Sequence, residues 1–526
     1  MSGADKARFT RRSFLAGSGL VLGAAACSSN AKSPSASSSS GPSAPVTLRY
    51  GEAGTFPTFN PWAQESGESD VANQVFSRLV YQDNKGNLVG DLAESWQLAP
   101  DGLSITLKLR PGVTWQDGRK LQAADFVTMY GYLSNPAFKS NIGVQKMHGL
   151  FQPVKAVKAP NPGTVLMEFS SPVPYVNNIF DYFYAVRFDN PSDLNFLTHL
   201  PIGTGPFQMT RYVQGQRAEF KAFPGYHVKG QPGVSNFVFD IFANGSDLIS
   251  DLRSGLVEGI LIADYSSLNA IKNNPSYYTS AAQLGVWNLM VNCAKPPLDK
   301  VAVRQALSWS MNRNSFSTAA FFGVEKPVTS PFYTPAATGY VADLVHAQSF
   351  NLAKARSLLD SANVHDLSFT FPSPTAAPNL QTVAEIWQSD LAKIGVKMKI
   401  QTISNALWNT LGAKKDLGGS DVMPWNNARC LLDGSVFWST QGNYLPGVPT
   451  GYVNPTMTKL IASGVAEVNP AKRRRIYQQL NEIVVRDCYC LSLVTLSNIW
   501  AWSSAVTGVT SDLIGNLSVG QARANA

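Results

Sequence analysis

Residues 92–126 read LAESWQLAPDGLSITLKLRPGVTWQDGRKLQAADF. Within this stretch Leu103, Ile105, Leu107 and Leu109 alternate with Ser104, Thr106, Lys108 and Arg110. A period of two predicts a strand with one wet face. Asp101-Gly102, just before it, is a hairpin-turn signal. Phe207 and Met209, then Ala218, Phe220 and Ala222, predict a second hairpin about Gln214-Gly215. Four helical stripes follow: Val303, Leu307 and Met311 within 301–313; Leu352, Ala355 and Leu359 within 351–360; Val383, Trp387, Leu391 and Ile394 within 380–395; and Ile476, Leu480, Ile483 and Val484 within 470–487. Asp299 is placed to cap the first helix and Gly395 to stop the third. A strand is expected over 396–403, and a last strand region near 492–510. Strand-rich sequence, then helix–strand alternation, is the order of an α/β protein with an inserted antiparallel part. No internal repeat is present.

Composition narrows the class. The chain has 526 residues, 44% apolar and 15% charged. An average soluble chain is roughly 25% charged. That excludes a disordered chain and a coiled coil, and leaves ample apolar material for a core. No apolar run reaches the roughly 20 residues that span a bilayer. The net charge is +8, but the first 26 residues carry Lys6, Arg8, Arg11 and Arg12 against one acid, Asp5, so the remainder carries +5. The one basic run, Lys472-Arg473-Arg474-Arg475, lies in an expected helix and reads as a solvated face rather than a nucleic-acid patch.

The N-terminus reads as an export address. Thr10-Arg11-Arg12-Ser13-Phe14-Leu15 precedes a short apolar stretch, Leu15 to Ala26, ending in Ala24-Ala25-Ala26-Cys27. The paired arginines resemble the twin-arginine signal, so 1–26 is expected to be a signal peptide. Cys27 reads either as the lipidated first residue of a bacterial lipoprotein or as a free thiol after ordinary cleavage. Lipidation is favoured, because residues 28–45, with nine serines and three prolines, form a flexible tether. Such a tether is useful when its end is fixed. The expected location is the outer face of the cytoplasmic membrane. Cys293, Cys430, Cys488 and Cys490 remain, as buried thiols or with one long-range disulfide. If Cys488 and Cys490 share a strand, they lie on one face.

Nothing in the sequence argues for catalysis. There is no Gly-x-Ser-x-Gly elbow, no phosphate-cradling glycine loop and no His-Glu-x-x-His. His148, His199, His227, His346 and His365 are scattered, so no metal site and no cofactor is expected. Aromatic residues are abundant, with 11 Trp, 18 Tyr and 27 Phe. Several lie in loop contexts, including Phe56, Phe59 and Trp62 in GTFPTFNPW and Trp425 in MPWNNAR, and such rings suit ligand clefts.

Six ordered segments carry a resemblance. They are the 92–126 stretch, GTGPFQMTRYVQGQRAEFKAFPGYHVKGQP (203–232), LMVNCAKPPLDKVAVRQALSWSMNRNSF (289–316), NLAKARSLLDSANV (351–364), VAEIWQSDLAKIGVKMKI (383–400) and GYVNPTMTKLIASGVAEVNPAKRRRIYQQLNEIVV (451–485). In order and spacing they resemble the family 5 extracytoplasmic solute-binding proteins of bacterial ABC importers, the oligopeptide- and dipeptide-binding type. The resemblance runs from about residue 46 to the C-terminus. It implies a two-lobed α/β fold of the periplasmic-binding-protein type (type II) with an additional inserted domain. Lobe I would comprise 46–81, 196–288 and 496–526, the extra domain 82–195, and lobe II 289–495. Tether and signal would precede them as 27–45 and 1–26. The lobes would close over a ligand and present it to a membrane permease.

The resemblance also assigns roles. The aspartates of LDKV and QDGR are expected to cap helices or hold turns, and GTGPF to turn into a strand. In peptide binders the stretch matching Val422 to Trp438 carries an aromatic residue and then an acid that pairs with the peptide's amino terminus. Trp425 matches the aromatic. Asn426, Asn427 and Ala428 stand where the acid is expected, followed by Arg429, and Asp433 fits a downstream turn. The candidate ligand residues are Trp425, Asn426, Asn427, Arg429, Asn292, Trp287 and Phe59. A peptide held by main-chain hydrogen bonds is the first expectation. A cello-oligosaccharide stacked on Trp faces is the alternative. An exported hydrolase and a ligand sensor are the competing classes. The expected partners are the small-molecule ligand, the permease and, through lipid on Cys27, the membrane. A monomer without nucleic acid is expected.

Overall fold

The computed structural model describes residues 45–54, 59–62, 66–135, 151–187, 200–242, 245, 247–262, 264–375, 377–414, 417, 419–428 and 450–524, leaving aside the side chains at 66–69, 409, 412–414, 427 and 428. The signal, Cys27, the tether as far as Ala44, Arg429, Cys430 and Asp433 lie outside them.

The described chain enters on β1 (Thr47–Ala53), where Leu48 and Tyr50 are fully buried. α1 (Ser66–Val75) and the short hairpin of β2 (Val80–Gln82) and β3 (Leu88–Gly90) follow. β4 (Ala93–Leu98), β5 (Ser104–Leu109), β6 (Val154–Asn161) and β7 (Thr164–Phe169) form an antiparallel sheet in the order β4-β5-β7-β6. α2 (Ala123–Ser134) packs on that sheet. Its Phe126, Met129 and Leu133 are buried in the same core as Ile105 and Leu107 of β5 and Val165 and Met167 of β7. The period-two strand is thus present. Asp101 Oδ1 accepts from the Leu103 amide at 2.9 Å, and Gly102 takes φ +70° in the turn. Leu103 itself belongs to that turn and is exposed, so the alternation starts one residue later than expected.

The chain then returns to the sheet of β1 through β8 (Phe207–Val213), β9 (Arg217–Ala222), β10 (Asn236–Phe242), β11 (Gly259–Leu261) and β12 (Tyr277–Val291). GTGPF delivers it there. Gly205 N–H donates to the Val75 carbonyl at 2.8 Å, and a Cβ on Gly203 would lie 1.9 Å from that oxygen, so only glycine allows the approach. Beyond β12 come α3 (Val301–Trp309), α4 (Leu352–Ser361), β13 (Ser368–Pro374), α5 (Pro378–Ala392), β14 (Lys397–Ile403), α6 (Asn405–Lys414), β15 (Val422–Ala428), α7 (Pro455–Ala466), α8 (Pro470–Asp487) and β16 (Cys490–Ser503). The large sheet has the order β15-β12-β16-β11-β1-β10-β9-β8. β1 runs parallel to β10 and β11, and the other pairs are antiparallel.

Three expectations need correction. Asp299 does not cap α3 with its side chain. The N-cap is Lys300, and the Asp299 carbonyl accepts from buried Arg304 at 2.8 Å. The basic run is not wholly a solvated face. Arg473 is buried, donates through Nε to the Gly464 carbonyl at 3.1 Å and lies over the Tyr477 and Tyr175 rings. Cys488 and Cys490 do not share a strand. Cys488 ends α8 in the left-handed conformation at φ 52°, and Cys490 begins β16.

Beneath β1 two carboxyls are buried together. The Tyr50 hydroxyl lies 3.1 Å from Asp70 Oδ2 and 3.4 Å from Glu52 Oε2, and Asp70 Oδ1 accepts from the Leu517 amide at 2.8 Å. Burial, and then the Asp70 charge, push the Glu52 carboxyl well above its ordinary range; burial pushes Asp70 up to about 6. A carboxyl whose folded pKa exceeds its unfolded value holds its proton more tightly when folded. The stability it contributes is full in acid and is lost as pH rises through the folded value. Thermal stability should therefore fall between about pH 4 and pH 7. Glu52→Gln should flatten that fall and raise the midpoint at pH 8 by roughly 1–3 °C. Thermal melts of both proteins across this range check it, and an unchanged slope would refute it.

Candidate functional site

β12 and β16 pair along most of their length and change company on the way. Tyr277–Gln283 pairs with Ser497–Ser503, beside β11 and hence β1. Gly285–Met290 pairs with Cys490–Leu496, and β15 lies on the other side of β12. The register slips between Gln283 and Gly285 and again between Trp287 and Asn288. Such irregularities add local twist and bend. The stretch 284–288 with 494–498 is therefore where the two halves of the large sheet meet.

Four candidate residues converge there. Trp287 is the register partner of Asn426, Asn288 of Trp425, and Val286 of Asn427. Successive side chains on a strand point to opposite faces. Trp287 and Asn426 therefore share one face, whereas Trp425 and Asn288 share the other. Trp287 is buried, and its indole N–H meets no hydrogen-bond partner among the described residues. The half-buried Trp425 ring packs on Trp408 of α6, with centroids 5.1 Å apart at 57°. Trp408 Nε1 donates to the Pro424 carbonyl at 3.0 Å, which fixes the pair to β15.

Asn292 stands just past β12. Its Nδ2 donates to the Ser420 carbonyl at 3.2 Å, its Oδ1 accepts from the Ala294 amide at 3.3 Å, and its own amide donates to the Asp421 carbonyl at 2.9 Å. Asp421 in turn takes Lys295 at 2.5 Å and the Thr370 amide at 2.9 Å. Asn292 thus sets the entry to β15. Phe59 is not part of this group: it packs edge-on against Tyr212 of β8, at the opposite edge of the large sheet, with centroids 4.8 Å apart.

One buried polar cluster went unread in the sequence. Glu325, fully buried, accepts from the Tyr265 hydroxyl at 2.9 Å, Thr495 Oγ1 at 2.6 Å, the Ser497 amide at 2.9 Å and Ser497 Oγ at 3.1 Å. Thr495 and Ser497 flank the first register slip. Glu325 sits in Gly-Val-Glu-Lys-Pro, which looks like an exposed turn, and no periodicity marks it as internal. A separate cavity of about 730 Å³ lies between α1, the β2–β3 turn, residues 226–231 and the C-terminal segment. Arg78 pairs with Asp512 there at 2.8 Å, and His227 Nε2 lies 2.9 Å from Asp91. It does not adjoin the β12–β15 residues. Among the described residues no His, Cys, Asp or Glu cluster suits a metal ion, and no helix is long and apolar enough to cross a membrane.

The profile of the bacterial extracellular solute-binding proteins, family 5, matches residues 87–440. A Brucella ovis protein named as an ABC transporter peptide-binding protein is 26% identical over 450 residues, 82% of this chain and 83% of that one. The glutathione-binding protein GsiB of Escherichia coli K12 is 24% identical over 467 residues, covering 86% and 90%. Among solved structures, a dipeptide-binding protein from Pseudoalteromonas sp. SM9913 in complex with Met-Leu superposes with a TM-score of 0.75 at 21% identity, over 91% of this chain and 100% of that one. The fold is therefore the two-lobed α/β fold anticipated from the sequence.

Cys293 and Cys488 are free thiols. Burial pushes both up to about 11. A thiol that far from its thiolate is a poor nucleophile at neutral pH. Iodoacetamide at pH 7.5 should leave both unmodified in the native protein and label both after unfolding. Peptide mapping by mass spectrometry reads the outcome, and rapid native labelling of Cys488 would contradict it.

Proposed function

The chain belongs to the family 5 bacterial extracellular solute-binding proteins, and from that membership we propose that it captures an oligopeptide or dipeptide between its lobes and delivers it to the permease of an ABC importer. The observation that carries the reading is the likeness over more than four-fifths of the chain to proteins named for peptide and glutathione binding. The residue pattern agrees with it. β15 carries Trp425, Asn426 and Asn427 beside β12, where an extended peptide can be held by main-chain hydrogen bonds. In this reading the unpartnered indole N–H of Trp287 donates to a ligand carbonyl, Trp425 supplies an aromatic wall, and Asn426 and Asn427 take the polar main chain. Arg429 meets a carboxylate. Asn292 acts one step removed by fixing β15, and Phe59 would contribute from the first lobe. Capture is binding without turnover.

The domain limits proposed are 46–81, 196–288 and 496–526 for lobe I, 82–195 for the extra domain and 289–495 for lobe II. The proposed crossings at 288/289 and 495/496 lie one residue from the register slips at Trp287/Asn288 and Leu496/Ser497. Residues 1–26 would export the folded protein by the twin-arginine route, and lipid on Cys27 would hold it, through the 27–45 tether, as a monomer outside the cytoplasmic membrane. Tethering keeps the binder at high local concentration beside its permease.

Mass spectrometry of small molecules released by gentle denaturation tests the ligand class. A mixture of short peptides is expected, and a hexose ladder would overturn it. Against that peptide pool, Trp425→Ala should weaken binding by about 1–3 kcal/mol. Unchanged affinity in a folded variant removes Trp425 from the site. Cys27→Ser should move the protein from the membrane fraction to the soluble envelope fraction, and persistence in the membrane fraction would refute lipid anchoring.

A further inference from the structure

The Glu325 carboxylate is buried without a cation among the described residues, and its contacts are all donors: three hydroxyls and one amide. An ionised carboxylate offers about four lone-pair sites, so four donors satisfy the charged form. The donors come from two directions. Tyr265 begins a turn, Tyr265–Ala270, between β11 and β12, in the half of the large sheet that contains β1. Its ring meets Phe321 edge-on at 5.5 Å. Glu325 and Phe321 belong to the segment between α3 and α4, in the other half. Thr495 and Ser497 lie on β16 on either side of the slip in its pairing with β12. One side chain thus joins both halves at the place where their relative angle is set.

We propose that the Tyr265–Glu325 hydrogen bond is a latch that sets the angle between the lobes, the Tyr265 hydroxyl having to leave the carboxylate before they can swing about 284–288 and 494–498. Tyr265 and Glu325 are positioning residues, and the proposal rests on the capture reading for its purpose, though not for its geometry. A buried charge that loses a donor with no water to replace it is left unsatisfied, so the latch resists opening. Acid weakens it. Burial raises the Glu325 carboxyl above its ordinary range. Once protonated, it must donate one hydrogen, and one of the four donors has to turn away. The titratable groups facing it are the hydroxyls of Tyr265 and Tyr333, both themselves raised by burial. The ammonium of neighbouring Lys326 is directed to the Gly323 carbonyl at 2.7 Å.

The test uses the ligand-free full chain, so it stands whether or not a peptide is bound. Small-angle scattering gives the lobe separation, and hydrogen exchange at the Ser497 amide reports the carboxylate's grip. Tyr265→Phe and Glu325→Gln should each enlarge the radius of gyration at pH 7.5 and speed Ser497 exchange about tenfold or more, as loss of a charge-assisted bond requires. The double variant should do no more than the stronger single one. Lowering the pH to 5 should enlarge the radius of gyration of the native protein in the same way and leave that of Glu325→Gln unmoved. A folded Tyr265→Phe with native scattering overturns the latch, as do shifts that add in the double variant. If Glu325→Gln does not fold, Tyr265→Phe and the native acid response decide alone.

Discussion

The pairing of β12 with β16 is the constraint on which the rest depends. Remove it and β11 with β1 on one side, and β15 on the other, lose their common support. Two buried arginines secure the second half of the ladder. Arg304 Nε donates to the Asp487 carbonyl at the end of α8, and Arg313 Nε donates to the Ser492 carbonyl in β16, each at 2.8 Å. Their partners are main-chain oxygens and, for Arg313, also the Ser308 hydroxyl, so among the described residues they act as caps and braces and not as ion pairs. Burial draws Arg313 down to about 10, which still leaves it charged at neutral pH. The sheet is thus continuous where it spans the molecule but irregular at its midpoint, where the slips add local twist and bend.

Much of this frame was legible in the sequence because it follows from short-range rules. The 104–109 strand, the Gly102 and Gly215 turns, the α5 stripe ending at Gly395 and the α8 stripe behind Pro470 all depend on residues a few positions apart. Arg304, Arg313, Arg473 and Glu325 were not legible. Each is charged, each would be placed on the surface by composition, and each is internal because a distant segment supplies its partners. Ser492 receives Arg313 across 179 residues, and Thr495 reaches Glu325 across 170. Nothing local encodes such a meeting.

The candidate site was half legible. Trp425 and its asparagines are candidates by likeness to a known pattern, and Trp287 by position alone. The register then supplied what neither could: Trp287 faces with Asn426, and Trp425 faces away from both. Adjacent residues on a strand cannot all contact one ligand through their side chains on a single face. A ligand lying against β15 would meet the Trp287–Asn426 face by side chain, and would engage Trp425 at the strand's flank, where that ring already leans on Trp408.

The sheet order also has a bearing on biogenesis. β16, the last long strand made, is inserted between β12 and β11, and the Leu517 amide and carbonyl then close on Asp70 and Gln74 of α1, some 440 residues earlier. The ribosome must release nearly the entire polypeptide before the first-made segments can reach their final neighbours. Long-range closure of this kind is slow and leaves unfinished edges exposed while it proceeds. A chain so ordered depends on chaperones to shelter the waiting strands until its C-terminal segments are made.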